Sequence, residues 1–176
     1  MARFVLHIWD MDQARVPVFM SKADKRDLEA TMADPWQTDW SSEYITTNRF
    51  DLYALKTMEG ALVALGVYGV RKENLAIHVI YMIYIESEPE SNPTRTAVPK
   101  YRDVGRAMVA YGIKLSVDAG FNGDVTLDAK APELARHYER AIGAFRVPRR
   151  ERDVAPRYLI CDEAAKMIFT DYLEEG

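Results

Sequence analysis

A single cysteine, Cys161, stands among the 176 residues, so no disulfide can close within this chain. The apolar opening is broken by His7 and ended by Asp10, which is too short for a secretory leader. Both features point to a reducing, cytosolic compartment. No window nears the ~20 consecutive apolar residues of a membrane-spanning helix, so no membrane partner is expected. Histidine is also scarce. His7, His78 and His137 share no metal-ligand spacing with one another or with nearby acids, and no metal is expected. The phosphate loop Gly-x-x-x-x-Gly-Lys and the dinucleotide fingerprint Gly-x-Gly-x-x-Gly are both missing. Positive charge is not in excess either. The net charge of -4 argues against nucleic acid as the main partner, although a net value averages over the surface and leaves room for a local basic face.

What is present is an ordinary globular composition, 48% apolar and 28% charged, in a length suited to one core. No repeat, linker or low-complexity tract divides residues 1–176, so one domain is expected. Residues 4–9 read as a strand, and Ser21 to Asp24 offers caps for a helix carrying Leu28 and Met32 and ended by Pro35. Residues 36–49, polar and aromatic without a period, read as a loop with a helical turn. Residues 51–57 and 61–70 flank Glu59-Gly60 as a hairpin. After Arg71 to Asn74, residues 75–85 are apolar on both faces, which predicts a strand near the centre of a sheet. Pro89, Pro93 and Pro99 exclude regular structure from the connector 87–100, and connectors of this length are often functional. A buried helix is predicted over 103–119, stopped by Gly120. Asn122-Gly123 turns the chain into a short strand at 125–128, and a second helix runs from Pro132 towards Ile142 and Gly143. A last strand at 158–161 and a helix capped by Asp162 and reaching Tyr172 complete an α/β (α+β) pattern.

The segment that bears on chemistry is Arg102-Asp103-Val104-Gly105-Arg106-Ala107, between the long connector and the buried helix. The first turn of a helix presents unpaired N–H groups and the positive end of the dipole. A glycine there lets phosphates approach the main chain closely. The competing reading is a packing glycine at an ordinary helix start. This hexapeptide resembles the Arg/Gln-x-x-Gly-x-Gly/Ala signature of the GNAT superfamily of N-acetyltransferases. The later segment His137-Tyr138-Glu139-Arg140-Ala141-Ile142-Gly143-Ala144 resembles the same family's aromatic-Tyr-Glu-Lys-x-Gly-Phe motif. The order of elements between the two is also similar, and the resemblance covers residues 51–145. Three departures stand out: one extra residue before Gly143, Ala144 where phenylalanine is usual, and Ala131 where asparagine is frequent. The connector 87–100 is also longer than in typical members.

The resemblance implies a GNAT-like single domain with a mixed central sheet flanked by helices, and acetyl-CoA as co-substrate. Backbone amides of Arg102, Asp103, Val104, Gly105, Arg106 and Ala107 would bind the CoA pyrophosphate. Ile83, Ile85 and Ser87, at the end of the central strand, would pair with the pantetheine arm as an added strand does. A backbone N–H near Ile85 would stabilise the oxyanion. Tyr138 would protonate the departing thiolate, the alternative being a half-buried structural tyrosine. Glu86, at the carboxyl end of the central strand, is the candidate base, unless it only faces water. His78 and Tyr81 are an odd number apart on one strand, so they point to opposite faces and at most one lines a cleft. Cys161 falls on a predicted strand without a histidine partner and reads as an inert thiol. Arg146, Arg149, Arg150, Arg152 and Arg157, diluted by Glu151 and Asp153, read as a solvated connector or as contacts to an anionic group.

The function expected is transfer of an acetyl group to an amine of a small metabolite, an antibiotic, a protein or, against the acidic balance, a charged tRNA, with Trp36 to Tyr44 and the connector 87–100 on the acceptor side. A homodimer stays open. The alternatives are a non-catalytic acyl-CoA-binding module of the same fold, and an unrelated α/β domain that imitates the signature.

Overall fold

The computed structural model describes residues 1–33, 36–47, 50–73, 77–149 and 154–176. The features predicted at Pro35, Arg49, Asn74, Leu75, Arg150, Glu151, Arg152 and Asp153 lie outside the described residues. In chain order the first elements are β1 (Ala2–Phe4), β2 (His7–Asp10), β3 (Arg15–Lys22), α1 (Lys25–Ala30), α2 (Glu43–Thr46) and β4 (Asp51–Thr57). Then come β5 (Leu62–Glu73), β6 (Ile77–Ser87), β7 (Tyr101–Arg102), α3 (Val104–Asp118) and β8 (Val125–Asp128). α4 (Pro132–His137), β9 (Phe145–Val147), β10 (Arg157–Ile160), α5 (Asp162–Thr170) and β11 (Leu173–Glu175) complete the chain. Contacts group these residues into two compact units interleaved along the chain: 1–68 with 84–108 and 172–176, and 69–83 with 109–171.

In the first unit the strands run in the order β7-β2-β3-β4-β5, each antiparallel to its neighbours. The single strand predicted at residues 4–9 is two strands. The Val5 amide donates to the Tyr172 carbonyl at 2.7 Å, so β1 pairs with β11, while β2 joins β3 and β7. β3 is hidden in the sequence by Pro17, a residue that disfavours strands, although Pro17 sits opposite His7 in the ladder. α1 is capped by Asp24, whose carboxylate accepts from the Asp27 amide at 3.0 Å while the Asp27 carboxylate accepts from the Asp24 amide at 2.8 Å. The helix ends at Ala30, short of the predicted Met32, which is exposed. The β4–β5 turn needs Gly60, whose φ of 90° lies in the left-handed region. Burial of Leu6, Ile8, Leu55, Val63 and Leu65 supplies the core, each side chain contributing roughly 1.5–3 kcal/mol.

In the second unit β6 pairs parallel with β8, and β8 and β9 pair antiparallel with β10, so the sheet is mixed as expected. A parallel pair needs a long crossover, which α3 provides. Asn122 and Gly123, with φ of 60° and 84°, make the turn into β8. Val79, Met82, Ile113, Val125, Leu127, Ile160 and Ile168 are buried. The helix predicted from Pro132 to Ile142 changes character at Tyr138. Residues Tyr138–Ile142 form a π turn in which the Tyr138 carbonyl accepts from the amides of both Gly143 and Ala144. That wide turn absorbs the one extra residue seen in the motif, and Gly143 closes it with φ 73°. α5 stops at Thr170 rather than Tyr172.

Candidate functional site

The Arg102–Ala107 turn belongs to the first unit. β7 holds its first residue by pairing with β2, with Trp9 opposite Arg102 and Asp10 opposite Tyr101. Asp103 then adopts φ 64°, and α3 begins at Val104. A left-handed residue followed by a right-handed one turns successive N–H groups to one side, the arrangement that receives anions. The first helical bond runs from the Ala107 amide to the Asp103 carbonyl at 3.0 Å, so the N–H groups of Val104, Gly105 and Arg106 lie ahead of the intrahelical ladder. Val104, Ala107 and Met108 are buried, whereas Asp103 and Gly105 are exposed.

Gly105 itself is unexplained by packing. A Cβ built there meets nothing within 4 Å among the described residues, and no positive φ requires glycine. Gly66 shows the contrast, since a Cβ there would come within 2.7 Å of Met108 Cε. A glycine in a helix costs about 0.5–1 kcal/mol relative to alanine. At Gly105 no contact among the described residues offsets that cost, and the main chain is open on this side. No contact among the described residues therefore accounts for this glycine. Nearby, the neutral form of His7 is favoured by burial and by the Arg15 guanidinium, whose Nη2 lies 3.2 Å from His7 Nδ1, while the Asp103 charge acts the other way.

β6 pairs with β8 only through Ile80, Tyr81 and Met82, and the strand continues through Ile83 to Ser87 beyond that ladder. Alternation puts Ile83, Ile85 and Ser87 on one face and Tyr84 and Glu86 on the other. The face with Glu86 is covered by the segment after α1. The buried Glu86 carboxylate accepts from the Gln37 amide at 2.6 Å, the Thr38 amide at 3.0 Å and Trp40 Nε1 at 2.9 Å. Glu86 therefore does not stand open to water at a strand end. Tyr44 meets Tyr84 edge-on, with centroids 6.2 Å apart, and tilts against Phe50 at 6.1 Å.

Tyr138, in the second unit, opens the π turn, and its ring meets Tyr158 edge-on at 6.0 Å. Burial, and secondarily the Asp128 charge, push its phenol up to about 12, so it keeps its proton at neutral pH. The sequence gives little warning of the group around Asp128. Arg157, only 3% exposed, donates to Asp128 through Nε at 2.8 Å and Nη2 at 3.1 Å. Tyr81 donates its hydroxyl to Asp128 at 2.6 Å, and Arg149 Nη1 lies 3.3 Å away. The Arg157 guanidinium also covers the Tyr81 ring at 4.9 Å. The solvated-connector reading is thus corrected for Arg149 and Arg157, whose charges turn inward to a carboxylate. The only sequence signal was an aspartate ending a β-branched strand.

His78 and Tyr81 do face different surroundings: exposed His78 stacks on Phe121 at 5.5 Å, whereas the Tyr81 hydroxyl donates to Asp128. Cys161 follows β10 and is only partly buried; burial and Asp162 push its thiol up to about 11, so it keeps its proton at neutral pH. Among the described residues no three His, Cys, Asp or Glu side chains are grouped to hold a metal ion. No helix among them is long and apolar enough to cross a membrane.

No protein-family model matches the chain, and no curated protein matches it in sequence. Solved structures do. A GNAT-family acetyltransferase from Listeria monocytogenes is 12% identical with a TM-score of 0.54, over 82% of this chain and 94% of that one. AtaTR bound with acetyl-CoA is 11% identical with a TM-score of 0.58, over 86% of this chain and 98% of that one. A mutant AtaT toxin bound to the C-terminus of the antitoxin AtaR and to acetyl-CoA is 9% identical with a TM-score of 0.51, over 97% of each chain. At these identities the likeness is one of architecture, and in architecture the chain has the fold of the GNAT superfamily.

Proposed function

We propose that this protein transfers an acetyl group from acetyl-CoA to an amine. The observation that carries this reading is the open glycine at the start of α3, where no neighbour among the described residues fills the place of a side chain and the main chain is open to a phosphate. The left-handed Asp103 and the N–H groups of Val104, Gly105 and Arg106 support pyrophosphate binding there. Arg102 and Ala107 complete the turn. The overrun of β6 beyond its β8 ladder supports pairing of Ile83, Ile85 and Ser87 with the pantetheine arm, in the manner of an added strand.

In the proposed reaction the amine nitrogen attacks the thioester carbonyl carbon. An N–C bond forms, the C–S bond breaks, and the amine gives up one proton. The N–H near Ile85 stabilises the transient oxyanion, and Tyr138 delivers one proton to the leaving thiolate. A phenol that keeps its proton at neutral pH suits that task. For deprotonation of the amine, the three donors already taken by Glu86 support a holding role over that of a base, and water is the remaining acceptor. The acceptor is a small molecule or a protein amine.

Release of free CoA thiol over a panel of amines, for the native protein and Tyr138→Phe, tests the reading. Amine-dependent release that falls in the mutant is expected. Saturable acetyl-CoA binding without release from any amine would favour a non-catalytic acyl-CoA-binding module. Absence of both binding and release would sink both.

A further inference from the structure

The carboxylate of Glu86 is committed in a way that its position in the strand did not announce. All three of its contacts are N–H donors, two from the backbone of Gln37 and Thr38 and one from the indole of Trp40. A carboxylate offers acceptors only and satisfies that arrangement, whereas a carboxamide in its place turns one donor against another. Both Glu86 and Trp40 are buried, so these bonds are shielded from competing water. The segment so held leads into α2, where Tyr44 lies edge-on against Tyr84, the neighbour of Glu86 on the same face of β6. One strand end therefore fixes the covering segment at two points, through Glu86 to residues 37–40 and through Tyr84 to Tyr44.

We propose that Glu86 is a positioning residue for the acceptor, which clasps residues 37–40 against the end of β6 and thereby shapes the wall that the incoming amine meets. The link to the acceptor rests on the acetyl-transfer reading, whereas the clasp itself does not. Ile85, the residue assigned to the oxyanion, lies in the chain between Tyr84 and Glu86, which hold the segment, so displacing the segment changes how the amine is presented and leaves the thioester's own contacts in place.

The test uses Glu86→Gln, Glu86→Ala and, as a variant that spares the carboxylate, Trp40→Phe. Glu86→Gln keeps a carbonyl oxygen for Thr38 and Trp40 and loses the bond from Gln37; Glu86→Ala loses all three. Amide hydrogen exchange at Gln37 and Thr38 should quicken by roughly 10- to 100-fold, in the graded order Ala beyond Gln, with the α3 amides unchanged. In kinetics the acceptor KM should rise by roughly tenfold in the same graded order. kcat should stay within about threefold, acetyl-CoA affinity should hold, and the acidic limb of the pH–rate profile should persist. Trp40→Phe should reproduce a smaller version of the KM effect. Unchanged exchange at Gln37 and Thr38 would overturn the clasp. Equal collapse of kcat in the Gln and Ala variants, with loss of the acidic limb, would overturn positioning and make Glu86 the base. If no amine is acetylated, the enzymatic reading fails and the acceptor role falls with it, while the exchange data still decide the clasp.

Discussion

Replacing Gly105 with alanine separates the demands of the fold from those of the ligand, because the two predict opposite signs. The residue has helical geometry, and a Cβ meets nothing within 4 Å among the described residues. No neighbour among the described residues resists the methyl group, and the unfolded chain loses freedom. The substitution should therefore stabilise the protein by about 0.4–1 kcal/mol. For a chain of this length that raises Tm by roughly 1–4 °C. Cofactor binding should move the other way. The methyl group occupies the space through which a phosphate oxygen reaches the first-turn amides, and loss of one charge-assisted hydrogen bond costs roughly 1.5–3 kcal/mol. Affinity for acetyl-CoA should fall by about 10- to 150-fold. Thermal unfolding and calorimetric titration on the same sample measure both. A mutant that is more stable and binds acetyl-CoA as well as the native protein would refute the assignment of this turn. A mutant that is less stable would refute the claim that Gly105 has no packing role.

Three further predictions concern other residues. Tyr138→Phe should lower kcat by roughly a hundredfold or more while acetyl-CoA affinity stays within about twofold, measured by thiol release and titration; equal turnover would show that another group protonates the thiolate. Asp103→Gly relieves a left-handed non-glycine residue and removes a negative charge from the turn proposed to bind the pyrophosphate. Acetyl-CoA affinity should rise about two- to fivefold at low salt, with the gain fading as salt is added, and a salt-independent loss would contradict the charge argument. Asp128→Asn should lower Tm by roughly 6–20 °C, since it strands the buried Arg157 charge. Burial alone would raise the Asp128 carboxyl, but hydrogen bonds from Arg157 and Tyr81, with the charges of Arg157 and Arg149, outweigh it and hold it below its ordinary value. Its stabilisation is therefore full above the ordinary carboxylate value near ~4 and is lost as pH falls through the lowered value. The stability difference between native protein and Asp128→Asn should shrink across that acid range, and a difference constant down to strong acid would reject the linkage.

What the sequence reveals about this molecule follows the range of the physics involved. α3, the Asn122-Gly123 turn and the hairpin around Gly60 are written in neighbouring residues, by apolar spacing and by positive φ, and they are legible. β1, β7, β9 and β11 are two or three residues long and exist because distant partners pair with them, so no local period marks them. The same division holds at the candidate site. The turn proposed to bind the cofactor is a local object, and its hexapeptide already contains the glycine and the helix start. The clasp at Glu86 joins residues 46 to 49 positions apart, and the Asp128–Arg157 pair joins residues 29 apart, so neither has a local signature. The extra residue before Gly143 was visible as a break in a motif, and the π turn gives its physical form.

Binding of the acetyl-CoA pyrophosphate at the start of α3 is tested by calorimetric titration of the native protein and Gly105→Ala with acetyl-CoA and with pantetheine, which keeps the arm and lacks the pyrophosphate. One saturable site per chain for acetyl-CoA is expected, with much weaker binding of pantetheine and a loss in the mutant confined to the ligand that carries phosphates. No acetyl-CoA binding by the native protein, or an equal loss for both ligands in the mutant, would contradict it.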